Sequence, residues 1–221
     1  MEKGMIHTNR HMALLGVVLT LLAGCQTAYY STLETFGYHK RDLLVSRVQD
    51  ARDSQHEAKE QFESALEKFS SVLQFHGGKL EDQYKQLKTE LEQSETSAKA
   101  VRNRIEAVEN VSKALFKEWE AELEQYDNDK LRRASAQQLT QTRKRYTPLI
   151  GAMRRAESKI DPVLAAFRDQ VLFLKHNLNA QAIASLQGEL VSIESDIASL
   201  IKEMEASIAE ADSFIKAIGA S

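Results

Sequence analysis

The sequence predicts an all-α fold, an elongated antiparallel bundle or set of coiled-coil hairpins of about four long helices, and three observations carry the prediction. Only two of the 221 residues are proline and nine are glycine, so long stretches hold no residue that breaks a helix. Those stretches are filled mostly by Ala, Leu, Glu, Lys, Gln, Ser and Arg, a set dominated by good helix formers. Within them apolar residues recur alternately three and four positions apart, which lines one face of a helix. Strand-like alternation between turn signals is missing, which argues against a sheet-based enzyme fold.

The first helix is announced by Ser31-Thr32-Leu33-Glu34, the spacing of a capping box. Its stripe follows as Leu44, Val48, Ala51, Gln55, Ala58, Phe62, Ala65, Phe69 and Val72. The segment FHGGK at 75–79 ends it, because paired glycines supply the left-handed conformations a helix C-terminus uses. The second stripe runs Leu80, Tyr84, Leu87, Leu91, Ser94, Ala98, Val101, Ile105, Val108, Ser112, Leu115, Trp119, Glu122 and Tyr126. YDNDK at 126–130 then offers turn and N-cap residues. Trp119 and Tyr126, like Phe62 and Phe69, fall on a stripe and are expected in the core.

The third stripe is Leu131, Leu139, Tyr146, Leu149, Met153, Ala156, Ile160, Val163, Phe167, Val171, Leu174 and Leu178. Pro148 and Pro162 fall inside it; each removes a helix hydrogen bond, so this helix is expected to be kinked or divided. HNLNA at 176–180 marks the next turn. A fourth stripe closes the chain with Ile183, Leu186, Leu190, Ile193, Ile197, Leu200, Met204, Ser207, Ala211, Phe214 and Ile218. Stripes of this length bury themselves against one another. At 1.5 Å per residue each arm spans roughly 60–70 Å.

Ahead of the first helix lies a different signal. The apolar run MALLGVVLTLLAG at 12–24 is about thirteen residues long and is preceded by Lys3 and Arg10, too short for a span of roughly 20 and right for a signal-peptide core. Leu22-Ala23-Gly24-Cys25 at its end resembles the bacterial lipobox. The resemblance implies cleavage by signal peptidase II before Cys25, diacylglycerol on its thiol and an acyl chain on its new amino terminus. Each buried acyl CH₂ contributes about 0.8 kcal/mol, so two or three chains hold a protein on a bilayer. Gln26, a residue other than Asp, implies the outer membrane, facing the periplasm, in preference to the inner one. The expected organisation is a signal peptide at 1–24, a lipidated N-terminus and tether at 25–36, and one helical-bundle domain at 37–221.

Catalytic constellations are not legible. Cys25 is the single cysteine, which rules out an internal disulfide or a cysteine metal cluster. Gly77-Gly78-Lys79 lacks the first glycine and the Ser or Thr of a phosphate loop, since Leu73 and Leu80 stand there. His39, His56, His76 and His176 show no i, i+4 pair, and Asp127 and Asp129 begin a calcium loop that Leu131 breaks. No catalytic residue, metal site or cofactor beyond the lipid is expected.

Charge is segregated. Residues 130–159 hold nine basic side chains against one acid, Glu157, while 81–129 carry a net −6 and 183–221 a net −5. Arg132, Arg133, Arg143, Lys144, Arg145, Arg154 and Arg155 are the candidate anion-binding stripe, with Arg133, Lys144 and Arg155 eleven apart on one face. The simpler reading is that the stripe is neutralised between two acidic helices. The sharper one is that part of it stays free for anionic lipid or an acidic partner. Nucleic acid has the right charge and, on this address, the wrong compartment.

The stretch ETFGYHKRDLLVSRVQDARDSQHEAKEQF at 34–62 resembles the opening of an uncharacterised proteobacterial lipoprotein family, domain of unknown function 2959, and the likeness covers nearly all of the mature chain. It implies a helical envelope lipoprotein and supplies no catalytic residues. The expected role is a non-catalytic scaffold, spacer or adaptor in the periplasm, with an envelope protein partner or a second copy of the chain as company. A holder for an envelope client or anionic lipid is the alternative, and an enzyme completed by a partner a weaker one.

Overall fold

A computed structural model describes residues 40–73, 80–177 and 180–219, and among them it holds four α-helices and no strand. In chain order these are α1, Lys40–Leu73, α2, Leu80–Leu123, α3, Asp129–His176, and α4, Ala180–Gly219. The chain forms two compact units, Met1–Leu43 and Leu44–Ser221. Of the first only residues 40–43, the opening turn of α1, are described; the four helices pack in the second. The Ser31–Glu34 capping box and the glycine stop at 75–79 lie outside the described residues.

Each stripe becomes a buried face. On α1 all nine members are buried, Gln55 included, and on α4 every member is buried except the half-buried Leu190. The large core side chains, among them Phe62, Ile105, Leu149, Ile160, Ile197 and Met204, are fully withdrawn from water. Burial of each contributes about 1.5–3 kcal/mol. Phe69 of α1 meets Phe167 of α3 edge-on at 6.4 Å, so these two helices touch across the middle of the bundle.

The ion pairs between helices fix direction and register. Along α2, Glu95, Arg102, Glu109 and Glu120 pair with Arg168, Asp161, Arg154 and Arg143 of α3. As the α2 partner advances by seven, seven and eleven residues, the α3 partner retreats by the same steps. That relation holds only for antiparallel helices kept in one register. Arg52 and Lys59 of α1 pair with Asp212 and Glu205 of α4 in the same manner, seven up against seven down. Arg104 of α2 reaches Asp50 of α1, and Arg155 of α3 reaches Glu203 of α4. Each helix therefore has two antiparallel neighbours.

The turn between α2 and α3 falls at residues 124–128, as its composition predicts. Asn128 is the N-cap: its side-chain oxygen accepts from the backbone N–H of Lys130 at 2.9 Å and of Leu131 at 3.2 Å. At the other end Asn177 donates its backbone N–H to the carbonyl of Leu174 and its side-chain amide to that of Phe173. Lys175 and His176 occupy the last turn, where the helix dipole favours positive charge.

Two expectations need correction. α3 is one continuous helix through Pro148 and Pro162, so the alternative of a divided helix is not observed. Both prolines face solvent, where water can satisfy the carbonyls that lose their partners. The stripe also stops short of its predicted length: Glu122 and Tyr126 at the end of the second stripe and Leu131 at the start of the third are exposed. Arg145 already lies beside Ala217 in the last turn of α4, and Leu131 stands fourteen residues nearer the turn than Arg145. Trp119, also expected in the core, is half-buried and donates its indole N–H to Ser135 at 2.8 Å.

Candidate functional site

Cys25, Leu22, Ala23 and Gly24 lie outside the described residues. Among the described ones the basic face of α3 is the candidate, and the structure sorts its seven members into two groups.

Five have protein partners. Arg132 pairs with Asp129 one turn before it at 2.7 Å. Arg143 reaches Glu120 at 2.6 Å and lies 5.1 Å above the ring of Phe116, which meets Tyr146 edge-on at 5.4 Å. Such a cation over an aromatic face adds roughly 0.5–1 kcal/mol. Arg154 grips Glu109 with two nitrogens and Glu157 with a third contact. These carboxylates raise its pKa above the ordinary arginine value against the opposing effect of burial. Arg155 approaches Glu203 of α4 at 3.4 Å. Arg145 has no carboxylate partner: its guanidinium donates to the carbonyl of Ala217 at 3.0 Å. That carbonyl belongs to the last turn of α4, where backbone acceptors lack helical donors and the dipole is negative, so Arg145 caps α4.

The side chains of Arg133, Lys144 and Lys130 have no hydrogen-bond or ion-pair partner among the described residues. Most of the stripe is thus engaged within the bundle, and the side chains of Arg133 and Lys144 are not. Arg133 and Lys130 stand twelve and fifteen residues nearer the turn than Arg145, which already reaches the last turn of α4, whereas Lys144 is unpaired beside α4.

Lys144 and Arg145 border a cleft. Between α3 and α4 lies a space of about 420 Å³ lined by Gln141, Lys144, Arg145, Pro148, Glu210, Ser213, Phe214 and Ala217. Phe214, only 2% exposed, is its apolar floor. Its rim carries two cations, one carboxylate, a hydroxyl and an amide, with apolar surface beneath. The sequence pointed to Lys144 and Arg145 but not to Glu210, Ser213 or Phe214. Which α4 residues face Lys144 depends on interhelical register, for which one sequence carries no local signal.

The remaining charged groups are structural. Arg143, donating to Glu120, holds that carboxyl below the usual carboxylate range, and Lys85 does the same for Glu81. Asp53 and Asp212 together raise the pKa of Arg52. Among the described residues no cluster of three or more His, Cys, Asp or Glu side chains could hold a metal ion. No helix among them is long and apolar enough to cross a membrane.

Neither the curated proteins nor the solved structures contain a match to this chain. A family model described as a protein of unknown function, DUF2959, matches residues 29–218, taking in the whole of the four-helix unit except its last residues. By that match the chain belongs to the DUF2959 family.

Proposed function

We propose that this is a lipid-anchored protein of the bacterial cell envelope with a non-catalytic scaffold, spacer or adaptor role, held by Cys25 on the periplasmic side of the outer membrane. One observation carries the reading: Leu22-Ala23-Gly24-Cys25 closes a short apolar run of signal-peptide length and is followed by a long helical unit. Support for a mechanical role comes from how the helices use their charges. Among the described residues eight ion pairs join different helices, and the four along the α2 and α3 seam share one register.

The test is cellular. The intact protein should incorporate labelled palmitate and sediment with outer-membrane vesicles on a density gradient. Cys25→Ala should lose the label and the association. Crosslinking in cells followed by mass spectrometry should return stable protein partners. A wild-type protein that takes no label and remains in the soluble fraction contradicts the anchor; lipid label without any crosslinked protein contradicts the scaffold.

The cleft beside Lys144 favours a second reading, in which the anchored bundle also holds anionic lipid.

A further inference from the structure

We propose that Lys130, Arg133, Lys144 and Arg145, with the α3/α4 cleft that Lys144 and Arg145 line, form a docking face for the phosphate headgroups of an anionic phospholipid surface. The inference rests on the anchored reading above and says which part of the bundle meets the bilayer.

Three observations converge. The first is charge. The side chains of Arg133, Lys144 and Lys130 have no hydrogen-bond or ion-pair partner among the described residues, and the Arg145 guanidinium is bound only to a carbonyl. Arg133 and Lys130 precede Lys144 by eleven and fourteen residues, which keeps all three on one side of α3. Glu210 is the one acid in the cleft, while Glu122, Glu124 and Asp127 at this end belong to α2 and the turn. The α3 side is therefore the positive one. Each basic residue near an anionic leaflet contributes about 1 kcal/mol of attraction.

The second observation is place. Arg52 of α1 is bonded to Asp212 of α4, next to Ser213 of the cleft. The cleft thus lies about eight residues, roughly 12 Å along α1, from the start of the unit at Leu44. Cys25 precedes Lys40 by fifteen residues, a span of at most about 50 Å when fully extended. The cleft therefore lies toward the Leu44 end of the four-helix unit, and Cys25 stands nineteen residues before Leu44 in the sequence.

The third is the turn. Arg104 bonds Asp50, so the remainder of antiparallel α2 runs past the start of the unit and brings the 124–128 turn to this same end. Tyr126 and Leu131 are 40% and 55% exposed there, flanked by Lys130, Arg132 and Arg133. An amphipathic ring and an aliphatic side chain among basic residues suit the headgroup boundary, where the ring and methyls enter and the charges meet phosphate.

The experiment uses the mature lipidated protein reconstituted in vesicles of phosphatidylcholine alone or with 30% phosphatidylglycerol. Acylation of lysines by a water-soluble amine reagent is read residue by residue by mass spectrometry. Lys144 and Lys130 should be acylated at least threefold more slowly in the anionic vesicles, while Lys88 and Lys99 on α2 keep their rates. The protection should fall in 0.5 M salt and in Arg133→Gln, which breaks no side-chain hydrogen bond or ion pair among the described residues. Equal Lys144 rates in the two vesicle types would overturn the proposal. So would equal protection from inorganic phosphate in the absence of vesicles, which would identify a free-phosphate site. Failure of the anchor is read separately, as a Cys25 peptide without lipid; unlipidated protein added to anionic vesicles should still show the Lys144 protection.

Discussion

The seam between α2 and α3 and the middle of the α1 and α4 pair treat polar groups in opposite ways. Along the seam each of four ion pairs finds its partner in one shared register, and every member stays partly in water. In the interior, Gln55 is fully buried and neither its side-chain oxygen nor its nitrogen meets a protein partner; the hydroxyls of Ser54 and Ser207 are in the same state. A surface pair retains water when its geometry loosens, so it costs little and contributes little. A buried amide has given up water and depends on what the fold offers. The seam therefore sets alignment, and the apolar core supplies stability net of a cost imposed by the Gln55 layer.

The contrast can be broken from either side, and the core side should respond most strongly. Phe69→Ala removes the ring that meets Phe167 across the bundle. It should cost about 3–5 kcal/mol in chemical denaturation, with the slope of the transition unchanged. Gln55→Leu, which deletes two unpartnered buried atoms while keeping an apolar body on the stripe, should raise stability by about 1–3 kcal/mol. A fall in stability there would mean that the amide is satisfied by buried water. Arg154→Gln on the seam should cost under about 1 kcal/mol, and less in high salt.

The smallest effect is pH dependence. Glu120 titrates below its unfolded value in the fold because Arg143 donates to it. Its stabilisation is present above the unfolded carboxylate pKa and disappears as pH falls through the lower folded value. Comparing the thermal midpoints of wild type and Glu120→Gln from pH 7 to pH 3 should show the two curves converging on the acid side.

Much of the fold was legible because helical periodicity is local. The stripes on α1 and α4 name their buried residues almost without error, and the bend before Asn128 follows from the turn residues around it. What sequence could not supply is anything that depends on where a neighbouring helix ends. Tyr126 and Leu131 keep the rhythm of their stripes yet are exposed, because packing needs a second surface as well as a face. The prolines misled in one respect for a related reason: their carbonyl gaps fall on the exposed side of α3, where an unbroken helix is tolerable. The candidate site was half legible. Lys144 and Arg145 stood out as charge, while Glu210 and Phe214 became part of the cleft only through a register set by side chains far along both helices. Gln55 was visible on its stripe, but its lack of a partner was not.

The most direct test of the lipid anchor is the mass of the N-terminal peptide of the protein extracted from bacterial membranes. The expected peptide begins at Cys25 and carries diacylglycerol and an acyl group. A peptide that begins elsewhere, or a Cys25 with a free thiol, would contradict the anchor.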